Sequence, residues 1–144
     1  MLRFPHVGLL FAALALSACI GVGGSTPPEQ GVRDFLGGVF DRPDARLTVP
    51  SVAFAGDYAV AGWLQDGRGG RTLLRRSEQG WTFVACAGAE LRTQGGLTES
   101  GLPPELAGRM LAALEVSEAS VPAEALAKLG MFKGVLRMDA GAHP

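Results

Sequence analysis

The clearest fold signal is the run AGDYAVAGWLQDGRGGRTLLRRSEQGWTFVAC, residues 55–86. It is broken at Gly56-Asp57, at Asp66-Gly67-Arg68-Gly69-Gly70 and at Ser77-Glu78-Gln79-Gly80. These residue types turn a chain or accept positive φ. Stretches of strand length, rich in apolar and aromatic residues, lie between the breaks at 58–65, 71–76 and 81–86. In the first, Tyr58, Val60 and Leu64 share one parity and Ala59, Ala61 and Trp63 the other. Upstream, 46–54 reads as another strand, with Leu47 and Val49 on one parity and Val52 and Phe54 on the other. Pro50 sits at the switch, which predicts a bulge or an edge position. Connections this short join antiparallel neighbours, so the reading is a four-stranded antiparallel meander.

Helical patterns flank the meander. Val32, Phe35, Leu36, Val39 and Phe40 recur at the spacing of one apolar helix face. Gly37-Gly38 weakens that helix by about 1 kcal/mol per glycine relative to alanine, so it must lean on a sheet or another helix. Pro43 turns Arg42 away from helical backbone and ends it. After the meander, 90–94 has room for one helical turn. Pro103-Pro104-Glu105 opens a better helix, with Leu106, Met110, Leu111 and Leu114 as its stripe. Ser120, Pro122 and Glu124 open a further one over 121–129, closed by Gly130, and 132–138 suits a short extended segment. The predicted class is α+β: an N-terminal helix, the meander, and C-terminal helices packed on one sheet face.

The N-terminus reads as an address. One basic residue, Arg3, precedes ten uncharged apolar residues at 7–16, too short to span a bilayer and of the right length for a signal-peptide core. Leu16-Ser17-Ala18-Cys19 then resembles the bacterial lipobox, in which small residues fit the peptidase and the cysteine thiol takes diacylglycerol. We expect residues 1–18 to be a lipoprotein signal peptide and Cys19 the lipidated residue. Residues 19–28, rich in Gly, Ser and Pro, would be a flexible tether. A single α+β domain would fill 29–139, and 140–144 would be a frayed tail. Ile20, rather than Asp, after the cysteine points to the periplasmic face of the outer membrane, with a soluble periplasmic protein as the alternative.

Composition removes several function classes. The 144 residues carry 13 Lys+Arg against 14 Asp+Glu, a net charge of −1, so bulk electrostatic binding of nucleic acid is excluded. Two Cys and two His exclude a Cys₄ zinc cage, and a Cys₂His₂ cage would need all four, although Cys19 is the expected lipidation site and His6 leaves with the expected signal peptide. No His lies in 29–139, which removes Ser-His-Asp and Cys-His catalysis from the domain. Rossmann and P-loop glycine spacings are absent. The chain therefore reads as non-enzymatic.

One resemblance goes further. Phe40-Asp41-Arg42-Pro43-Asp44-Ala45 with Leu47-Thr48-Val49 is followed by Gly56-Asp57 and Ala59-Val60-Ala61-Gly62-Trp63. Then come Gly69-Gly70-Arg71 with Leu73-Leu74-Arg75-Arg76, and Gly80-Trp81 with Cys86-Ala87-Gly88. A later stretch runs from Val121-Pro122-Ala123-Glu124 to Phe132, Gly134-Val135 and Met138-Asp139. In this order and spacing the motifs resemble the copper uptake system-associated proteins, small exported proteins of Alphaproteobacteria and their relatives. The resemblance implies a role beside copper import, with a copper transporter or a periplasmic copper chaperone as partner. Family members carry a histidine-rich tail, whereas 139–144 holds only His143.

Candidate ligands for copper follow from softness: the Cys86 thiol, the thioethers of Met110, Met131 and Met138, and the His143 imidazole. Against this, a free cysteine is commonly a small buried hydrophobe and Met110 lies on a helical core stripe. Arg68, Arg71, Arg75 and Arg76 cluster around the second hairpin and would dock an acidic partner, or else form a solvated face that protects a sheet edge. An alternative reading is a nuclear-transport-factor-2-like or cystatin-like module, with a small apolar ligand enclosed near Phe35, Phe40, Val60 and Trp63.

Overall fold

The computed structural model describes residues 25–138. The order is α1 (Pro28–Phe40), β1 (Thr48–Ala55), β2 (Tyr58–Gln65), β3 (Arg68–Ser77), β4 (Gly80–Ala87), a 3₁₀ turn (Ala89–Arg92), α2 (Gln94–Glu99), α3 (Pro104–Glu118), α4 (Ala123–Leu129) and β5 (Leu136–Arg137). The class is α+β with one five-stranded antiparallel sheet, ordered β1-β2-β3-β4-β5.

Local chemistry explains the turns. Asp66 and Gly67 both have positive φ, at 53° and 73°, the pair of values that matches the twist of a two-residue hairpin turn. The turn is therefore shorter than the five residues expected, and Gly69 and Gly70 lie inside β3. Close approach demands glycine there. A Cβ on Gly69 would stand 2.8 Å from the Lys128 carbonyl oxygen, and one on Gly70 2.8 Å from Trp63 Cζ2. Register shifts between Thr48 and Ser51, around Pro50, and again where Leu74 pairs with Phe83 and leaves Val84 without a partner in β3.

The sheet is covered on both faces, by the C-terminal helices α2 and α3 on one and by α1 on the other. On one face Ala53, Ala55, Val60, Leu73, Ala85 and Ala87 meet Leu97 of α2 and Ala107, Met110 and Leu114 of α3. On the other, Val52, Ala59, Ala61 and Leu74 meet Val32 and Leu36 of α1, with Phe35, Phe40, Trp81 and Phe83 around them. The physical reason lies in the strands: both parities of 52–61 are apolar, so neither face is left for water. Alanines dominate the α3 side, and small side chains let a helix lie close to a sheet. The fifth strand also extends the predicted meander. It pairs Ala85 with Arg137 and Cys86 with Leu136.

Candidate functional site: an apolar cavity between α1 and the sheet

The α1 face does not close completely. A cavity of about 260 Å³ lies under the C-terminal end of α1. Leu36, Phe40 and Leu47 form one side, and Trp63, Gln65, Thr72, Phe83 and Cys86 form the sheet wall. Phe132, Leu136 and Met138 close it from the C-terminal segment. The Phe132 ring meets Trp63 edge-on at 6.4 Å, and Phe83 packs on Phe35 at 4.9 Å and Phe40 at 5.5 Å.

Two polar atoms of this wall, Gln65 Nε2 and Thr72 Oγ1, are engaged. Gln65 Nε2 donates to the carbonyls of Phe40 and Ala45, both at 2.7 Å, which fixes the end of α1 to the end of β2. Thr72 Oγ1 donates to the Ala85 carbonyl at 3.1 Å and accepts from the Cys86 thiol at 3.6 Å. Cys86 is half-buried, and burial pushes its thiol pKa up, opposed by the Thr72 contact. At neutral pH it is a thiol, not a thiolate.

The C-terminal wall is held by few bonds. Met138 N donates to Val84 O at 2.8 Å, and Gly134 N donates to Glu90 Oε1 at 3.1 Å. The other Glu90 oxygen accepts from Gly88 N at 3.1 Å. Together with its own backbone N–H, these amides hold the Glu90 carboxyl below its usual pKa, assisted by Lys133.

The candidate copper ligands separate. Cys86 and Met138 share the cavity. Met110 is fully buried on the opposite face of the sheet among the α3 contacts, and Met131 is 54% exposed. Neither faces Cys86. Cys19 and His143 lie outside the described residues. Among the described residues no group of three or more His, Cys, Asp or Glu side chains converges as a metal site, and no helix is long and apolar enough to cross a membrane.

The arginine cluster is corrected as a single docking surface. Arg71 is 4% exposed. Its Nε and Nη2 donate to the two oxygens of Glu118 at 2.7 and 3.0 Å, and Nη1 donates to the carbonyls of Gly88 and Leu129 at 3.1 and 3.4 Å. It locks β3 to α3 and α4 and is unavailable to a partner. Arg75 and Arg76 are neighbours on one strand and so point to opposite faces. Arg75 lies over Tyr58 at 5.9 Å, and Arg76 over Trp81 at 5.8 Å and 3.9 Å from Asp57. Arg68 is exposed at the hairpin.

Phe40 and Trp63 line the cavity as the alternative reading expected, while Phe35 lies beside it and Val60 faces the other layer. Phe83, Phe132 and Leu136 were not singled out, because their alignment depends on the β4 register shift and on β5. Comparison with family models, curated proteins and solved structures found no match.

Proposed function

We propose that this chain is a non-enzymatic accessory protein of copper uptake, lipid-anchored through Cys19 at the periplasmic face of the outer membrane. It works by docking to a copper transporter or periplasmic copper chaperone, with Cu(I) held weakly by its own sulfur atoms. The motif resemblance motivates the copper assignment. The observation that carries it is the joint lining of one apolar cavity by the Cys86 thiol and the Met138 thioether. Soft sulfur donors select Cu(I) over harder ions, and an apolar surround excludes competing water. Finer features of the expected architecture, the N-terminal helix and the meander, belong to this reading as the scaffold that sets the cavity.

Binding must release the Cys86 proton, so affinity rises with pH across the range where the burial-raised thiol titrates. The test uses the full chain carrying Cys19→Ser, so that only one thiol remains, in competition with bicinchoninate for Cu(I). One Cu(I) per chain is expected. Cys86→Ser should weaken it at least about tenfold, since only a thioether then remains, and Met138→Leu should weaken it less. No uptake by the parent chain removes direct binding and leaves the docking role. That role fails in turn if a deletion strain grown under copper limitation keeps its intracellular copper.

A second reading is favoured by a specific observation: among the described residues carbon dominates the cavity wall, no charged side chain lines it, and Gln65 Nε2 and Thr72 Oγ1 are already bonded. Such a wall suits a small apolar ligand better than a metal-aquo species.

A further inference from the structure

Four aromatic rings and two sulfur atoms stand in the cavity wall: Phe40, Trp63, Phe83 and Phe132, with Cys86 and Met138. They come from α1, β2, β4 and the C-terminal segment, so an occupant meets rings and sulfur from several elements. The rings already pack by their edges, Phe40 with Phe83 at 67° between planes and Trp63 with Phe132 at 76°. That geometry sets the positive rim of one ring against the negative face of another. A flat aromatic occupant adds contacts of this kind, and thiol and thioether sulfur also attract a ring. An aliphatic occupant of equal area gains burial alone.

The wall also holds one acceptor in a fixed place. Gln65 Nε2 donates to the carbonyls of Phe40 and Ala45 at 2.7 Å each. Both partners can only accept, so the amide has one orientation. Gln65 Oε1 accepts from no donor among the described residues, and it is not one of the buried unpartnered oxygens, which are those of Ser51 and Ser100. It therefore keeps surface that an incoming molecule can cover. Covered by carbon, this oxygen loses its water and gains nothing; met by an N–H or O–H, it exchanges one hydrogen bond for another. Size narrows the choice further. Apolar cavities of about 150 Å³ take a six-carbon benzene ring, so 260 Å³ takes about ten ring atoms in proportion, the size of two fused rings.

We propose that this cavity binds a two-ring aromatic molecule with a single N–H or O–H donor, of the indole or naphthol class, its donor bonded to Gln65 Oε1. This rests on the apolar-ligand reading above and specifies its ligand.

The full chain carrying Cys19→Ser, which has no acyl group of its own, is titrated by calorimetry with three probes. Indole has the fused rings and the donor, benzothiophene has the rings without a donor, and 1-adamantanol has a donor on an aliphatic cage. We expect one indole per chain, bound at least about tenfold more tightly than benzothiophene or 1-adamantanol. Gln65→Met keeps the side-chain length and removes the acceptor, so it should bring indole and benzothiophene level. If that variant does not fold, the ratio in the parent chain decides. Leu47→Trp and Met138→Trp fill the cavity from the α1–β1 connection and from the C-terminal segment. Each should weaken indole at least about tenfold with the circular dichroism spectrum unchanged, and if one fails to fold the other decides. Full indole affinity in a folded filling variant overturns the site. Benzothiophene bound as tightly as indole overturns the donor, and 1-adamantanol bound as tightly overturns the aromatic class. Either result leaves the apolar-ligand reading standing. A parent chain that binds none of the three overturns both.

Discussion

Arg71 has been taken out of water on nearly every side, and so has the carboxylate it meets: both side chains are 5% exposed. Glu118 ends α3, where the helix dipole disfavours an anion, so it depends on Arg71 and on Arg92 at 3.1 Å. Deleting one partner of a buried pair strands the other, at a cost of about 3–5 kcal/mol. Arg71→Ala should therefore lower the free energy of unfolding by about that much, read from the urea midpoint at constant slope. Glu118→Gln should also destabilise strongly, since it leaves Arg71 and Arg92 without an anion and turns one acceptor oxygen into an N–H donor facing an arginine. The identity of Arg71 gave no hint of this. Its neighbours Arg68, Arg75 and Arg76 are exposed, and only the partner on α3, 47 positions away, shows that Arg71 points inward. Cys86 and Met138 were legible as soft donors from residue type alone. That they share one lumen while Met110 lies on the other face was not, because it depends on which parity of the sheet each reaches.

At the scale of elements, the turn chemistry and the alternation in 46–86 locate the strands well, and the break in register falls around Pro50 as its missing N–H requires. The layer count did not follow, because apolar residues on both parities leave open how the helices divide between faces. β5 escaped for a different reason. Two residues have no periodicity, and their pairing with Ala85 and Cys86 is a long-range contact. Within α1, a Cβ on Gly37 or Gly38 would meet nothing within 4 Å. Alanine at both positions should raise the melting temperature through a gain of about 0.5–1 kcal/mol each. The C-terminal segment responds to acid. Glu90 has its pKa lowered in the folded state by backbone amides, first its own and then those of Gly88 and Gly134. Its contribution is thus complete above the unfolded-state pKa and is lost as pH falls through the lowered folded value. The protection factor of the Gly134 amide, with the intrinsic pH dependence of exchange divided out, should fall on acidification in the parent chain and should be low and independent of pH in Glu90→Gln.

Across the whole molecule, neighbouring strands in space are neighbours in sequence, and the two helical layers make a sandwich with β2 and β3 at its centre. The interior strands are shielded on both faces and both sides. The cavity lies between the C-terminal end of α1 and strands β2, β3 and β4, with the C-terminal segment as its outer wall. The opposite edge is β1, and Pro50 lies in it. The register break at this proline bends the outward row of amides that a foreign strand would need out of line. Pro50 thus makes the β1 edge a poor template for a strand of a second copy, so copies of the domain can meet edge to edge without zipping together.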